Sequence, residues 1–285
     1  MASKNTTPLG YIELNNGSKA IYPMNDIFLN FTFEDVAHWE ALRLAVNLLI
    51  KAYMQQKPET KVKPIEGNIK VRTQFQHLLD IQNTTRDQDI KMTEDEEETT
   101  YIEFQNRAKT DVPIEIRSVE YFGLGIGHSK GKLANQIWLL AEDVDSVLHR
   151  NTFTRYILKD EMTGNEHPTT SGIMYVSLTK LSQEESPAGE LASFLLGKII
   201  VPMNEEVKKI SDAFNSSFNA FKSDREVVKV LSARDRGWHE GLVEGREEGE
   251  IKGANKLLEL IKKGIDPDEA MRKLNYETQY ELVES

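Results

Sequence analysis

Apolar positions along the chain change period several times, and each change marks an element. From residue 34 to about residue 53, Leu42, Ala45, Leu48, Leu49 and Ala52 recur at helical spacing. Trp39, Val46 and Tyr53 widen the same face, so the pattern predicts a first long helix packed on a sheet. Residues 68–81 mix apolar and polar positions as a strand leading into a hairpin would. The hairpin follows: residues 85–92, a charged and solvated turn over 93–98, then a segment rich in β-branched and aromatic residues over 99–104. After Pro113, residues 114–122 read as helix, which Gly123, Gly125, Gly127 and Gly131 weaken or end. The run Ile137-Trp138-Leu139-Leu140-Ala141 is short enough to be strand or buried helix. Residues 151–158 and 172–178 predict two more strands, with turn chemistry at 163–168 between them. Helix, strands, helix, strands makes the class α/β.

The last quarter follows a different rule. Gly237, Gly241, Gly245, Gly249 and Gly253 recur every fourth position among Glu and Arg, so a helix here would carry a glycine stripe. Each glycine costs a helix about 1 kcal/mol against alanine, which calls for close helix–helix approach or leaves the segment frayed. The expectation is a mobile acidic helix or linker, with self-association through this tail as the alternative. Residues 254–261, a stop at Gly264 and a capped start at Asp266-Pro267-Asp268-Glu269 predict a terminal helix pair. The chain thus divides into a domain over residues 20–200 and a helical tail over 204–285.

Charge and composition narrow the chemistry. Without cysteine there is no disulfide framework and no thiolate zinc site, and the six histidines show no ligand spacing. Oxygen ligands remain for any metal. The start lacks the apolar core of a signal peptide and no apolar run has the length to cross a bilayer, so the expected location is cytoplasmic, with no membrane partner. A net charge of -11 argues against whole-surface attraction to nucleic acid. Basic residues are nevertheless grouped, at Lys51, Lys57, Lys61, Lys63, Lys70 and Arg72, and again at Arg107, Lys109, Arg117, Lys130 and Lys132. The first group reads mainly as a solvated loop after the helix, whereas the second directly follows the hairpin and is placed to clamp a phosphate. Gly123-x-Gly125-x-Gly127 lacks the strand-turn-helix context of a dinucleotide loop.

The hairpin carries the candidate site. Asp89 lies on its first strand and Glu103 on its second, and two carboxylates on neighbouring strands make a hard, oxygen-only cation site suited to Mg²⁺. Gln105, two residues beyond Glu103, shares its face. Isolated strand acids are more often solvent-facing residues of an antiparallel edge, so the residues alone leave both readings open. Asp87 competes with Asp89 as a ligand, and Arg117 either binds phosphate or pairs with Glu115 or Glu120.

The order Asp89-Ile90-Lys91-Met92, acidic loop, Tyr101-Ile102-Glu103-Phe104-Gln105, then Arg117-Ser118-Val119-Glu120-Tyr121 resembles the recombination-promoting nuclease family, a transposase-like branch of the PD-(D/E)XK nuclease superfamily. Asn25-Asp26-Ile27-Phe28 is similar to that family's opening and Glu244-Gly245-Arg246-Glu247-Glu248-Gly249 to its acidic tail. The resemblance spans roughly residues 20–275 and rests on the order of short motifs. It implies a restriction-endonuclease-like core, a mixed central sheet with helices on both faces and the catalytic hairpin in its middle, with residues 137–141 as strand. It implies Mg²⁺ held by Asp89, Glu103 and the main-chain carbonyl of Phe104, with Gln105 completing the catalytic set where many relatives have lysine. An amide cannot exchange a proton at working pH but can orient water or a phosphate oxygen. Gln88 stands where the superfamily has proline. Asp26 is a further acid, or else an N-terminal cap for the turn that follows.

The expected function is Mg²⁺-dependent endonucleolytic hydrolysis of DNA linked to recombination or mobile elements. The alternative is a non-catalytic DNA-binding or protein-interaction protein with a degenerate nuclease site.

Overall fold

Asn25 opens the first helix: its Oδ1 accepts from the Phe28 amide at 3.0 Å, and α1 runs Asp26–Glu34 with Ile27, Phe28 and Leu29 buried. Asp35 ends that helix in extended backbone and caps a 3₁₀ turn at Val36–His38, after which α2 runs Trp39–Gln56. The helix expected from residue 34 therefore starts later, because Asp35 breaks the backbone and spends its carboxylate on the Ala37 amide. Leu42, Val46 and Leu49 lie at the centre of the α2 buried face, as their spacing requires.

The computed structural model describes residues 11–13, 19–21, 23–73, 89–95, 98–106, 112–128, 134–166 and 171–224. The tail from residue 225, with its glycine stripe and the helix pair expected there, lies outside them, as do Asp87 and the cations Arg107, Lys109, Lys130 and Lys132. Among the described residues no helix is long and apolar enough to cross a membrane.

Two strands, β1 (Tyr11–Glu13) and β2 (Lys19–Ile21), form a small antiparallel ribbon. The main sheet has six: β3 (Ile69–Thr73), β4 (Ile90–Glu94), β5 (Glu98–Gln105), β6 (Ala134–Leu140), β7 (Phe153–Ile157) and β8 (Gly172–Ser177). Their order is β3-β4-β5-β6-β8-β7; β5, β6 and β8 run parallel and the outer pairings are antiparallel. The mixed sheet and the expected hairpin are both present, and residues 137–141 belong to strand up to Leu140. β8 is buried along its whole length, as a strand covered on both faces must be.

Helices flank that sheet. Five more lie among the described residues: α3 (Ile114–His128), α4 (Asp145–Leu148), α5 (Leu178–Leu181), α6 (Pro187–Leu195) and α7 (Glu205–Ser223). On one face Ile102, Phe104, Ile137 and Leu139 meet Leu29, Phe33, Leu42, Leu49, Leu195 and Phe214 from α1, α2, α6 and α7. On the other, Trp138, Leu140, Ile173 and Tyr175 pack with Ile114 and Tyr121 of α3 and Val147 and Leu148 of α4. Alternation along each strand divides the side chains between these two layers.

α7, which follows the expected boundary at residue 204, packs with α1 and α2. Asn204 caps it through the Glu206 and Val207 amides, and Val207, Ile210, Phe214 and Phe221 are buried. A second correction concerns α3, which continues through Gly123, Gly125 and Gly127 to His128. A Cβ at Gly125 would stand 2.8 Å from the Tyr101 ring, so glycine here lets the helix approach β5 closely instead of ending it. The acidic turn also differs from a purely solvated one. Glu94 accepts from the Glu66 and Gly67 amides, Asp95 accepts from the Asn68 amide at 3.0 Å, and Asp95 takes the left-handed φ of +44° that closes the turn.

Candidate active site

The β4–β5 ladder ends at the pair Ile90 and Ile102, and the next two residues are joined through side chains. Asp89, just before β4 and not within it, donates its amide to Glu103 Oε1 at 3.1 Å. In return its Oδ2 accepts from the Phe104 amide at 2.8 Å. Each carboxylate thus holds the other's strand in place, and the hairpin brings the two acids together by the same bonds that extend its pairing.

Glu103 is 3 % exposed. Burial first, and then the charge of Asp89, push its carboxyl well above the usual range, while the Asp89 amide and Arg117 act in the opposite direction. Gln105, also buried, lies on the same face two residues on, as period two requires. Its Oε1 accepts from Arg117 Nη1 at 3.0 Å, which settles which end of the amide is acceptor and which is donor. Arg117 pairs in this way with Gln105 and not with either neighbouring glutamate named from sequence.

Its guanidinium also lies 5.4 Å from the centre of the Trp138 ring and 5.7 Å from that of Tyr121. Cation–π attraction on two rings holds the planar fork in place while its charge remains close to Glu103. Burial, followed by the charge of Glu103, raises the Tyr121 hydroxyl above its ordinary pKa. Neither aromatic residue was named as a site residue from sequence; the spacing of Arg117 and Tyr121, one helical turn apart on α3, is a signal that could have found Tyr121, whereas Trp138 on β6 had none.

Register pairs Glu103 with Trp138 and Tyr101 with Gln136, so all four side chains face α3. Tyr101 Oη, both amide atoms of Gln136 and Trp138 Nε1 are buried without a hydrogen-bond partner. Nearby, the hydroxyls of Ser118 and Tyr175 share a short hydrogen bond, and burial pushes the tyrosine up to about 12. Polar groups are therefore concentrated beneath α3 despite the cost of desolvating them.

Asp89, Glu103, Gln105 and Arg117 converge at the carboxyl end of β5, next to the parallel strand β6, the end of an open α/β sheet where ligands ordinarily bind. Asp26 stands at the first position of α1; the capping role considered for it belongs to Asn25. Phe104, expected from sequence to lend its carbonyl, stands between Glu103 and Gln105 on β5, and its amide is the one bonded to Asp89. Among the described residues no group of three or more histidines or acids forms a metal cage, so a cation here would rely on two carboxylates, a carbonyl and water. That donor set, all oxygen, suits a hard divalent ion, and positive charge between the acids would relieve the repulsion that keeps Glu103 toward its neutral form. No known family profile, curated protein or solved structure matches this chain.

Proposed function

We propose that the chain is a Mg²⁺-dependent endonuclease that hydrolyses DNA in recombination or mobile-element processes, and that its sheet is the core of a restriction-endonuclease-like fold. The observation that carries this reading is the hydrogen-bonded pair of half-buried Asp89 and buried Glu103, joined at 3.1 and 2.8 Å, with Gln105 and Arg117 on the same patch. Asp89, Glu103 and the Phe104 carbonyl are the groups that would hold Mg²⁺. When bound, the ion supplies Lewis-acid polarisation of a phosphate oxygen and a lowered pKa for an attacking water.

The chain's own residues perform the rest. Glu103, ionised once positive charge offsets that of Asp89, anchors the site from beneath. Arg117 presents a guanidinium whose remaining donors suit a phosphate oxygen, and its stacking limits the entropy lost on binding one. Gln105 is uncharged, so no step depends on a lysine. Its carbonyl is held by Arg117, and its role in this reading is to orient water or a phosphate oxygen.

The test is nicking of supercoiled DNA by the purified chain. Turnover with Mg²⁺ that EDTA stops is the expected result. Salt-sensitive DNA binding with no turnover would replace this reading by the non-catalytic one, and turnover that persists in EDTA would remove the role of the metal.

A further inference from the structure

On the face of the sheet away from Glu103, the connector between α2 and β3 covers a cavity of about 390 Å³. It lies at the opposite ends of the strands from the carboxylate pair: Thr100 near the start of β5, Asn135 near the start of β6 and Gly172 at the start of β8. This volume falls in the range of small-molecule sites, about 300–1,000 Å³. The connector is tied down across it, because Asn47 of α2 exchanges two hydrogen bonds with the Ile65 backbone, at 2.8 and 2.7 Å.

The lining is divided by chemistry. Lys61 and Lys63 enter from the connector and Arg155 from β7, against one lining acid, Glu98, in a chain whose net charge is -11. Lys61 also pairs with Glu166 at 3.1 Å. Ile137 and Met174, partners in the β6–β8 register, supply an apolar floor. Thr100 and Asn135, partners in the β5–β6 register, set a hydroxyl beside an amide.

Arg155 is specifically accommodated. A Cβ at Gly172 would stand 3.0 Å from Arg155 Nη2 and 2.6 Å from the Tyr156 carbonyl, so the guanidinium lies across β8 because position 172 has no side chain. Burial lowers the Arg155 pKa from its ordinary value, the sign of a guanidinium partly stripped of water.

We propose that this cavity binds a nucleoside 5′-phosphate, with the phosphate on Lys63 and Arg155, the base over Ile137 and Met174, and the polar edge of the base toward Thr100 and Asn135. The site is distinct from the carboxylate pair and does not depend on the nuclease reading. A free mononucleotide and the 5′-phosphorylated end of a strand share this chemistry.

Calorimetric titration of the full chain tests it, using each of the four deoxynucleoside 5′-monophosphates, their nucleosides, inorganic phosphate and a 5′-phosphorylated tetranucleotide. At least one monophosphate or the tetranucleotide is expected to bind at least about tenfold more tightly than nucleoside or phosphate alone, a difference of about 1.4 kcal/mol. Lys63→Glu, at an exposed position, is expected to weaken that binding by at least about tenfold with an unchanged denaturation curve, whereas Asp89→Asn and EDTA leave it unchanged. A tighter monophosphate identifies the free nucleotide as the ligand, and a tighter tetranucleotide identifies a strand end. Failure of all five phosphorylated probes, binding unaffected by Lys63→Glu, or binding lost in Asp89→Asn would overturn the proposal.

Discussion

The two faces of the central sheet are built from the same strands and follow opposite rules. Toward α2 and α7, Ile102, Phe104, Ile137 and Leu139 pack against the apolar side chains of Leu42, Leu49, Leu195 and Phe214. Toward α3, their immediate neighbours Glu103, Gln105 and Gln136 are polar and buried, and Trp138 keeps an unpartnered indole N–H. Burying apolar area stabilises a fold by about 25 cal/mol per Å², whereas burying an unmatched polar group costs about 1–3 kcal/mol. One face therefore supplies stability that the other partly consumes, and a costly arrangement of this kind is where function is to be sought.

The largest effect should come from the apolar face. Phe214, 1 % exposed and in ring contact with Phe28, Phe33 and Phe194, should cost about 3–5 kcal/mol of unfolding free energy as Phe214→Ala, read by chemical denaturation. A loss below about 1 kcal/mol would show that this layer is not the stabilising one. On the polar face the hierarchy should invert. Asp89→Asn keeps an acceptor for the Phe104 amide, so stability should hardly move while Mg²⁺-dependent cleavage falls more than about 100-fold.

Arg117→Met should lower cleavage by about 10–100-fold, and Arg117→Lys should not rescue it, since an ammonium provides neither the fork to Gln105 nor the stack on Trp138. Equal activity of the lysine variant would reduce Arg117 to a point charge.

The smallest effect is one of pH. Glu103 binds its proton more tightly in the folded chain than in the unfolded one, so as pH rises above the ordinary glutamate range the unfolded chain ionises first and stability falls. The loss is complete once pH passes the raised folded value. Glu103→Gln removes it, and the variant should match the wild type near pH 4 and exceed it by about 1–3 kcal/mol at pH 8. Added Mg²⁺ should narrow that gap by stabilising only the wild type. A wild type that gains on the variant as pH rises would reverse the sign and refute the buried, proton-retaining state of Glu103.

Period-two alternation made the hairpin legible, together with the shared face of Glu103 and Gln105, because a strand leaves a side chain only two faces to choose from. Helical spacing likewise revealed the buried face of α2. The break at Asp35 was not legible because a single side-chain bond to Ala37 outweighs an apolar pattern that continues on both sides. Gly125 misled for the opposite reason: glycine disfavours a helix locally, and only the approach of Tyr101 from another strand shows what its missing side chain permits. Trp138 could be placed in an apolar run but not under Arg117, since that contact joins a helix and a strand through tertiary packing.

The difference between the faces comes to a single point at the Asp89–Glu103 pair, and the most direct measurement is the initial rate of supercoiled-DNA nicking by the wild type, Asp89→Asn and Glu103→Gln under saturating Mg²⁺. The expected result is cleavage by the wild type and a drop of more than about 100-fold in both variants, each folded by its denaturation curve. Full-rate cleavage by either folded variant would contradict the assignment.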